Sequence, residues 1–149
     1  MLYKQWLFFC KEKLKKNFLY SKIFSIGGKM KISEFISEKA ASGMRSEIKR
    51  YDGNEIFFRG IPDKNGVVSK VEVIARGNAG SVAALLNMMR KNEVIIHNHP
   101  SGDSRPSDED IRLTKLFVSA GQFMGIPVLD HIIIGDNEFT SLSEIGKLS

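Results

Sequence analysis

The chain has 149 residues, 42% of them hydrophobic and 26% charged, with a formal net charge of +5 at neutral pH, which suits one domain with a core of its own. No run approaches the roughly 20 apolar residues that a membrane span needs. The single cysteine, Cys10, excludes an internal disulfide and a cysteine-built zinc module, and the expected setting is the cytoplasm.

The charge is unevenly held. Residues 1–29 carry seven lysines against one acid, Glu12, for +6, which leaves −1 over residues 30–149. The basic excess therefore belongs to a leader, and the rest lacks the basic stripe of a nucleic-acid reader. The longest apolar run of the leader, Trp6 to Cys10, is five residues, too short for a secretory h-region. It reads either as a basic amphipathic helix on an anionic membrane or as an untranslated stretch. "GGKM" can be encoded by a sequence resembling a ribosome-binding site ahead of a start at Met30, and this second reading is preferred. The organisation expected is a leader, 1–29, and a domain, 30–149.

From Ile32 to Tyr51 the apolar residues Ile32, Phe35, Ile36, Ala40, Met44 and Ile48 recur at helical spacing. "DGN" breaks the helix, and "EIFFRG" opens a strand rich in aromatic and β-branched residues. "PDKNG" is a turn with an Asn-Gly hairpin signal, and "VVSKVEVIARG" resumes alternation, with Val71, Val73 and Ala75 expected on one face. A helix fits "SVAALLNMMRK" and a short strand fits "EVIIHNH". A further helix runs from Ser107 to about Met124, ended by Gly125 and Pro127. "VLDHIII" is a strand, "GDN" a turn and "EFTSL" a last short strand. This order predicts an α/β (α+β) domain whose mixed sheet is flanked by helices.

The chemistry concentrates in "IIHNHPSGDSRPSDED". Strand side chains two apart point the same way, so His97 and His99 share a side at the sheet's end, where Pro100 stops the ladder. Two imidazoles there could each give a nitrogen to one zinc at about 2.0–2.1 Å; alternatively they are unrelated polar residues at a strand end. Ser107 reads as a helix N-cap with Asp108, Glu109 and Asp110 at N1 to N3, close to a capping box. The same device could turn Asp110 back toward a metal held by the preceding strand. Two histidines, one aspartate and an open fourth position make a catalytic rather than a structural zinc arrangement. Amide hydrolysis also needs a carboxylate to move a proton and a donor for the oxyanion. Ser107 is a candidate donor; Glu55, Glu72 and Glu93 are candidate bases, and composition does not choose among them.

"HNHPSGDSRPSDED" resembles the zinc motif of the JAMM (JAB1/MPN-type) metallopeptidases, H-x-H-P followed by S-x-x-D, matched by His97, His99, Pro100, Ser107 and Asp110. "GNEIFFRG" stands where that family carries a glutamate opening an early strand, and Glu55 lies forty-two residues before His97. The resemblance implies one zinc per chain on His97, His99 and Asp110, with Glu55 as acid/base and Ser107 supporting the oxyanion. It implies a cytidine-deaminase-like MPN architecture with a mostly antiparallel sheet. Its substrate would be a peptide or a ubiquitin-like protein conjugate. Together with "LDHIIIGDNEFTSLSEIG" the motif is similar to the bacterial RadC-like branch. With "VIARGN" it is closer still to JAB-like domains at the N-terminus of some DinG-type helicases, which implies a helicase or DNA-repair partner. The match covers about residues 31–146.

Several residues carry two readings. His131 is read as a strand histidine satisfied by a local hydrogen bond, the alternative being a supporting group near the metal. Asn98 is expected to point away from the histidines and to anchor the turn. Asp103 is expected to bond amides of its own turn, Asp108 and Glu109 to be solvated, and Arg105 to be a solvated loop arginine. The competing function is a non-hydrolytic binding module on the same fold. An HNH nuclease is set aside, since that family draws its His, Asn and His from separate positions of a ββα unit.

Overall fold

A computed structural model describes residues 35–77 and 89–148. Residues 1–29, read above as a leader, and most of the helix expected over "SVAALLNMMRK" lie outside the described residues.

Helix α1 spans Glu38–Arg50, later than its apolar period suggests. Ser37 explains the start: its hydroxyl accepts from the Ala40 amide, and its own N–H bonds the Val68 carbonyl while Ile36 bridges to Val68. Glu38 in the first turn and Lys49 and Arg50 in the last suit the helix dipole. "DGN" ends it, with Gly53 at φ +78°, a left-handed turn natural to glycine. Strands β1 (Ile56–Pro62) and β2 (Val68–Arg76) form an antiparallel hairpin. Strand β3 (Val94–Asn98), helix α2 (Asp108–Phe123), β4 (His131–Ile134) and β5 (Phe139–Ser141) follow. The strand order is β2-β1-β3-β4-β5, antiparallel throughout except between β3 and β4. The mixed, mostly antiparallel sheet flanked by helices is as expected.

Alternation splits the sheet into two faces. Ile56, Phe58, Val94, Ile96, Ile132 and Ile134 pack with Ala40, Ala41 and Met44 of α1. Phe57 and Ile95 pack with Phe117 of α2 and with Val128. Each fully buried aromatic or aliphatic side chain contributes about 1.5–3 kcal/mol, so both layers hold the sheet. One expectation fails: Val71 and Val73 pack on the α1 side, but Ala75 does not join them. The register runs Phe58↔Val73 then Phe57↔Ala75, so Ile74 is an extra, unpaired residue. Such a bulge reverses the alternation, and Ala75 packs beside Phe57.

Candidate metal centre

The α2 face of the sheet changes character toward the end of β3. Phe57 and Ile95 are apolar, whereas His97 and His131, both 0% exposed, continue the same face in polar form. The His97 ring stacks on Phe57, centroids 4.8 Å apart and planes 14° from parallel. His99 lies one residue beyond the strand, held by its N–H bond to the Ile134 carbonyl. The two Nε2 atoms are 3.1 Å apart.

Asp110 reaches the same point from α2. Ser107 is the N-cap in a complete capping box: its Oγ accepts from the Asp110 N–H, and its own N–H donates to the Asp110 carboxylate. The Ser107 hydroxyl also donates to Asp110 Oδ2, at 2.7 Å. The carboxylate so aimed stands 3.2 Å from His97 Nε2 and 3.1 Å from His99 Nε2. Burial works to raise the Asp110 carboxyl, but His97 and the Ser107 donors outweigh it and hold it below the ordinary carboxylate range.

The outer nitrogens of both rings are spoken for. His99 Nδ1 is 2.7 Å from the Asp103 carbonyl oxygen, which only accepts, so Nδ1 carries the proton and Nε2 a lone pair. His97 Nδ1 is 2.8 Å from His131 Nε2. Burial, with His97 beside it, keeps His131 neutral by driving its pKa well below the ordinary imidazole range. Two inward-facing imidazole nitrogens and a carboxylate, 3.1–3.2 Å apart, gather their lone pairs on one point, which a cation there would stabilise. Two ligands at 2.0–2.1 Å from one tetrahedral zinc lie about 3.3 Å apart, so this donor set suits such an ion in spacing and chemistry.

Glu55 completes the cluster: a carboxylate oxygen lies within 4.8 Å of the ligand nitrogens of His97 and His99, and the three residues form a group able to hold a metal ion. Alternation puts Glu55 on the side of Phe57. Asn98 places it there: its Oδ1 accepts the Ile56 N–H at 2.8 Å and its Nδ2 donates to the Asn54 carbonyl at 3.3 Å, gripping the backbone on both sides of Glu55. Asn98 thus anchors the entry to β1 rather than its own turn, because both ends of its amide are taken by the strand-entry backbone opposite. The other candidate bases are engaged elsewhere. Glu72 pairs with Arg59 and Lys70, and Glu93 accepts from the Arg90 amide and pairs with Arg59.

Beside the histidines opens a cleft of about 420 Å³ lined by His99, Ser101, Asp103, Arg105, Pro106 and Ser107. Arg105 binds Asp103 and pulls its carboxyl down to about 2, and Asp103 Oδ1 accepts the Arg105 amide, the turn bond expected of it. Asp108 and Glu109 are exposed, as expected. The loop is braced from β4–β5: the Asp136 amide bonds the Gly102 carbonyl, and a Cβ on Gly135 would meet that oxygen at 2.3 Å. Of the supporting residues, Thr114 escapes a sequence reading, and His131 follows the alternative reading, a supporting group, rather than the preferred one. The ring of His131 bonds His97 and Thr114, thirty-four and seventeen residues away, rather than a local group. The only signal for Thr114 is its place one helical turn after Asp110.

Sheet and site together define a domain of the JAB/MPN type. The RadC-like JAB domain model matches residues 36–147, and the chain belongs to that family. It is 41% identical over 110 residues to a UPF0758 protein of Desulforudis audaxviator, covering 68% of this chain and 48% of the relative. It is 64% identical over 55 residues to one of Desulforamulus reducens, 37% of this chain and 24% of the relative. The chain therefore spans about half the length, or less, of these curated relatives. Among the described residues, no helix is long and apolar enough to cross a membrane.

Proposed function

We propose that the chain is a zinc-dependent hydrolase that cleaves a peptide or isopeptide amide bond, working in the cytoplasm. The observation that supports this reading is the meeting of His97 Nε2, His99 Nε2 and the Asp110 carboxylate at 3.1–3.2 Å beside Glu55. His97, His99 and Asp110 would hold the ion. Asp110 is preferred to Glu55 as the third ligand because it touches both imidazoles, whereas Glu55 stands back from ion-pair contact. Zinc, when bound, lowers the pKa of a coordinated water from 15.7 to about 7. Glu55 then serves as the base, taking a proton from the attacking water and returning it to the amine nitrogen as the C–N bond breaks. Ser107, at the edge of the cleft, can turn its hydroxyl from Asp110 toward the substrate and donate to the developing oxyanion. The cleft seats the acyl side of a peptide or of a ubiquitin-like conjugate, and a helicase or DNA-repair protein is the proposed partner.

Metal analysis of the purified chain tests the site. Wild type should hold about one zinc per chain, and His97→Ala, His99→Ala and Asp110→Ala should each lose it. Glu55→Gln should keep zinc and cut amide hydrolysis by about 10²–10⁴-fold. Unchanged hydrolysis by Glu55→Gln removes Glu55 as the base. A wild type that takes up no zinc removes the hydrolase and leaves a binding module on this fold.

A further inference from the structure

We propose that Thr114 is a positioning residue that, acting through His131, fixes the tautomer in which His97 presents an unprotonated Nε2 to the metal. The inference rests on the metal site proposed above and assigns its polarity to a residue that does not touch it.

Each link runs one way. The Thr114 hydroxyl oxygen lies 2.6 Å from the Asp110 carbonyl oxygen. A carbonyl only accepts, so the single hydroxyl proton is committed there. Thr114 Oγ1 also lies 2.7 Å from His131 Nδ1; with its proton spent it must accept, so His131 carries its proton on Nδ1. A neutral imidazole protonated at one nitrogen offers a lone pair at the other, and His131 Nε2 therefore accepts. His97 Nδ1, 2.8 Å away, donates, which leaves His97 Nε2 bare. Thr114, His131 and His97 are all 0% exposed, so bulk water does not stand in for a missing partner. The relay closes on itself: it starts at the main-chain carbonyl of Asp110 and ends 3.2 Å from that residue's own carboxylate.

His99 supplies an internal control. Its Nδ1 faces the Asp103 carbonyl directly, so its tautomer is independent of Thr114. Thr114→Val keeps the shape and removes the hydroxyl. His131 is then free to protonate Nε2, which would turn His97 to the Nε2–H form. A purely structural role for Thr114 would disturb both histidines or neither.

The test uses the ¹⁵N-labelled full chain, metal-free, at about pH 8, where an ordinary imidazole is neutral. Long-range imidazole correlations by NMR should show His97 and His99 both as Nδ1–H in wild type. In Thr114→Val, His97 should move to Nε2–H while His99 stays, and Thr114→Ser should restore His97. Titration with zinc alone should show binding weakened about 10–100-fold in Thr114→Val and recovered in Thr114→Ser. His97 found as Nε2–H in the metal-free wild type overturns the relay whether or not any variant folds. So does a Thr114→Val chain with His97 unmoved and zinc affinity unchanged. A wild type with the expected tautomers and no zinc affinity overturns the metal reading and leaves the relay standing.

Discussion

The two faces of the sheet are built from alternate residues of the same strands, yet they differ in kind. Toward α1, β3 presents Val94 and Ile96 and β4 presents Ile132 and Ile134, an apolar layer. Toward α2 the intervening residues run from Ile95 to His97, with His131 beside them, and the layer passes from apolar to polar within one strand. The period of two lets five residues of β3 serve a core and a site at once. The apolar face needs volume and tolerates exchange of shape; the polar face needs direction, because each donor must meet an acceptor.

The largest effect should come from breaking the apolar side. Phe58→Ala, at a position 0% exposed, should cost about 3–5 kcal/mol in denaturant unfolding, while the fraction that remains folded keeps its affinity for zinc. A loss of zinc affinity at full folding would show that the two faces are not separable.

At the entrance to β4, Asp130 tests how charge is held between the layers. Burial pushes its carboxyl up to about 7, against three donors: the Ser141 hydroxyl and the amides of Ser143 and His131. The folded chain then keeps a proton that the unfolded chain releases near pH 4. This contribution to stability is full below about pH 4 and is lost as pH rises through about 7, on the order of 4 kcal/mol. Asp130→Asn, which cannot ionise, should flatten that part of the stability-against-pH curve. An unchanged slope would assign it to other groups.

A smaller change tests a residue that joins the two faces. Asn98 follows His97 in β3, so its side chain leaves on the apolar side, yet it holds the backbone that carries Glu55. Asn98→Ala strands the buried Ile56 N–H and should cost about 1–3 kcal/mol. It should also lower hydrolysis while zinc content stays near wild type. Equal loss of zinc and activity would mean that Asn98 supports the whole centre rather than Glu55.

What was legible in the sequence is what is local. The spacing of His97 and His99 follows from the strand period, and the return of Asp110 follows from a capping box four residues long. The β-branched and aromatic runs located the strands to within one or two residues, except β4, which begins at His131, three residues later than expected. Relations across elements were hidden. The bulge at Ile74 is visible only as a register shift against β1, and so Ala75 was placed on the wrong face. Asn98 was rightly turned from the histidines, but its partners lie more than forty residues upstream. His131 looked self-sufficient because the hydroxyl and imidazole that use it arrive from α2 and β3. Glu55 stood out only through the family resemblance, since Glu72 and Glu93 are chemically equivalent until Arg59 is seen to engage them.

The capping box has a kinetic side. Helix ends are where local opening is cheapest, and the first turn of α2 holds the Asp110 carboxylate through both donors of Ser107. Fraying of that single turn releases the side chain from the histidines without disturbing the sheet. On the proposed metal reading, release of the ion is expected to follow the opening of this one helical turn, and the amide exchange rate of Asp110 would report it.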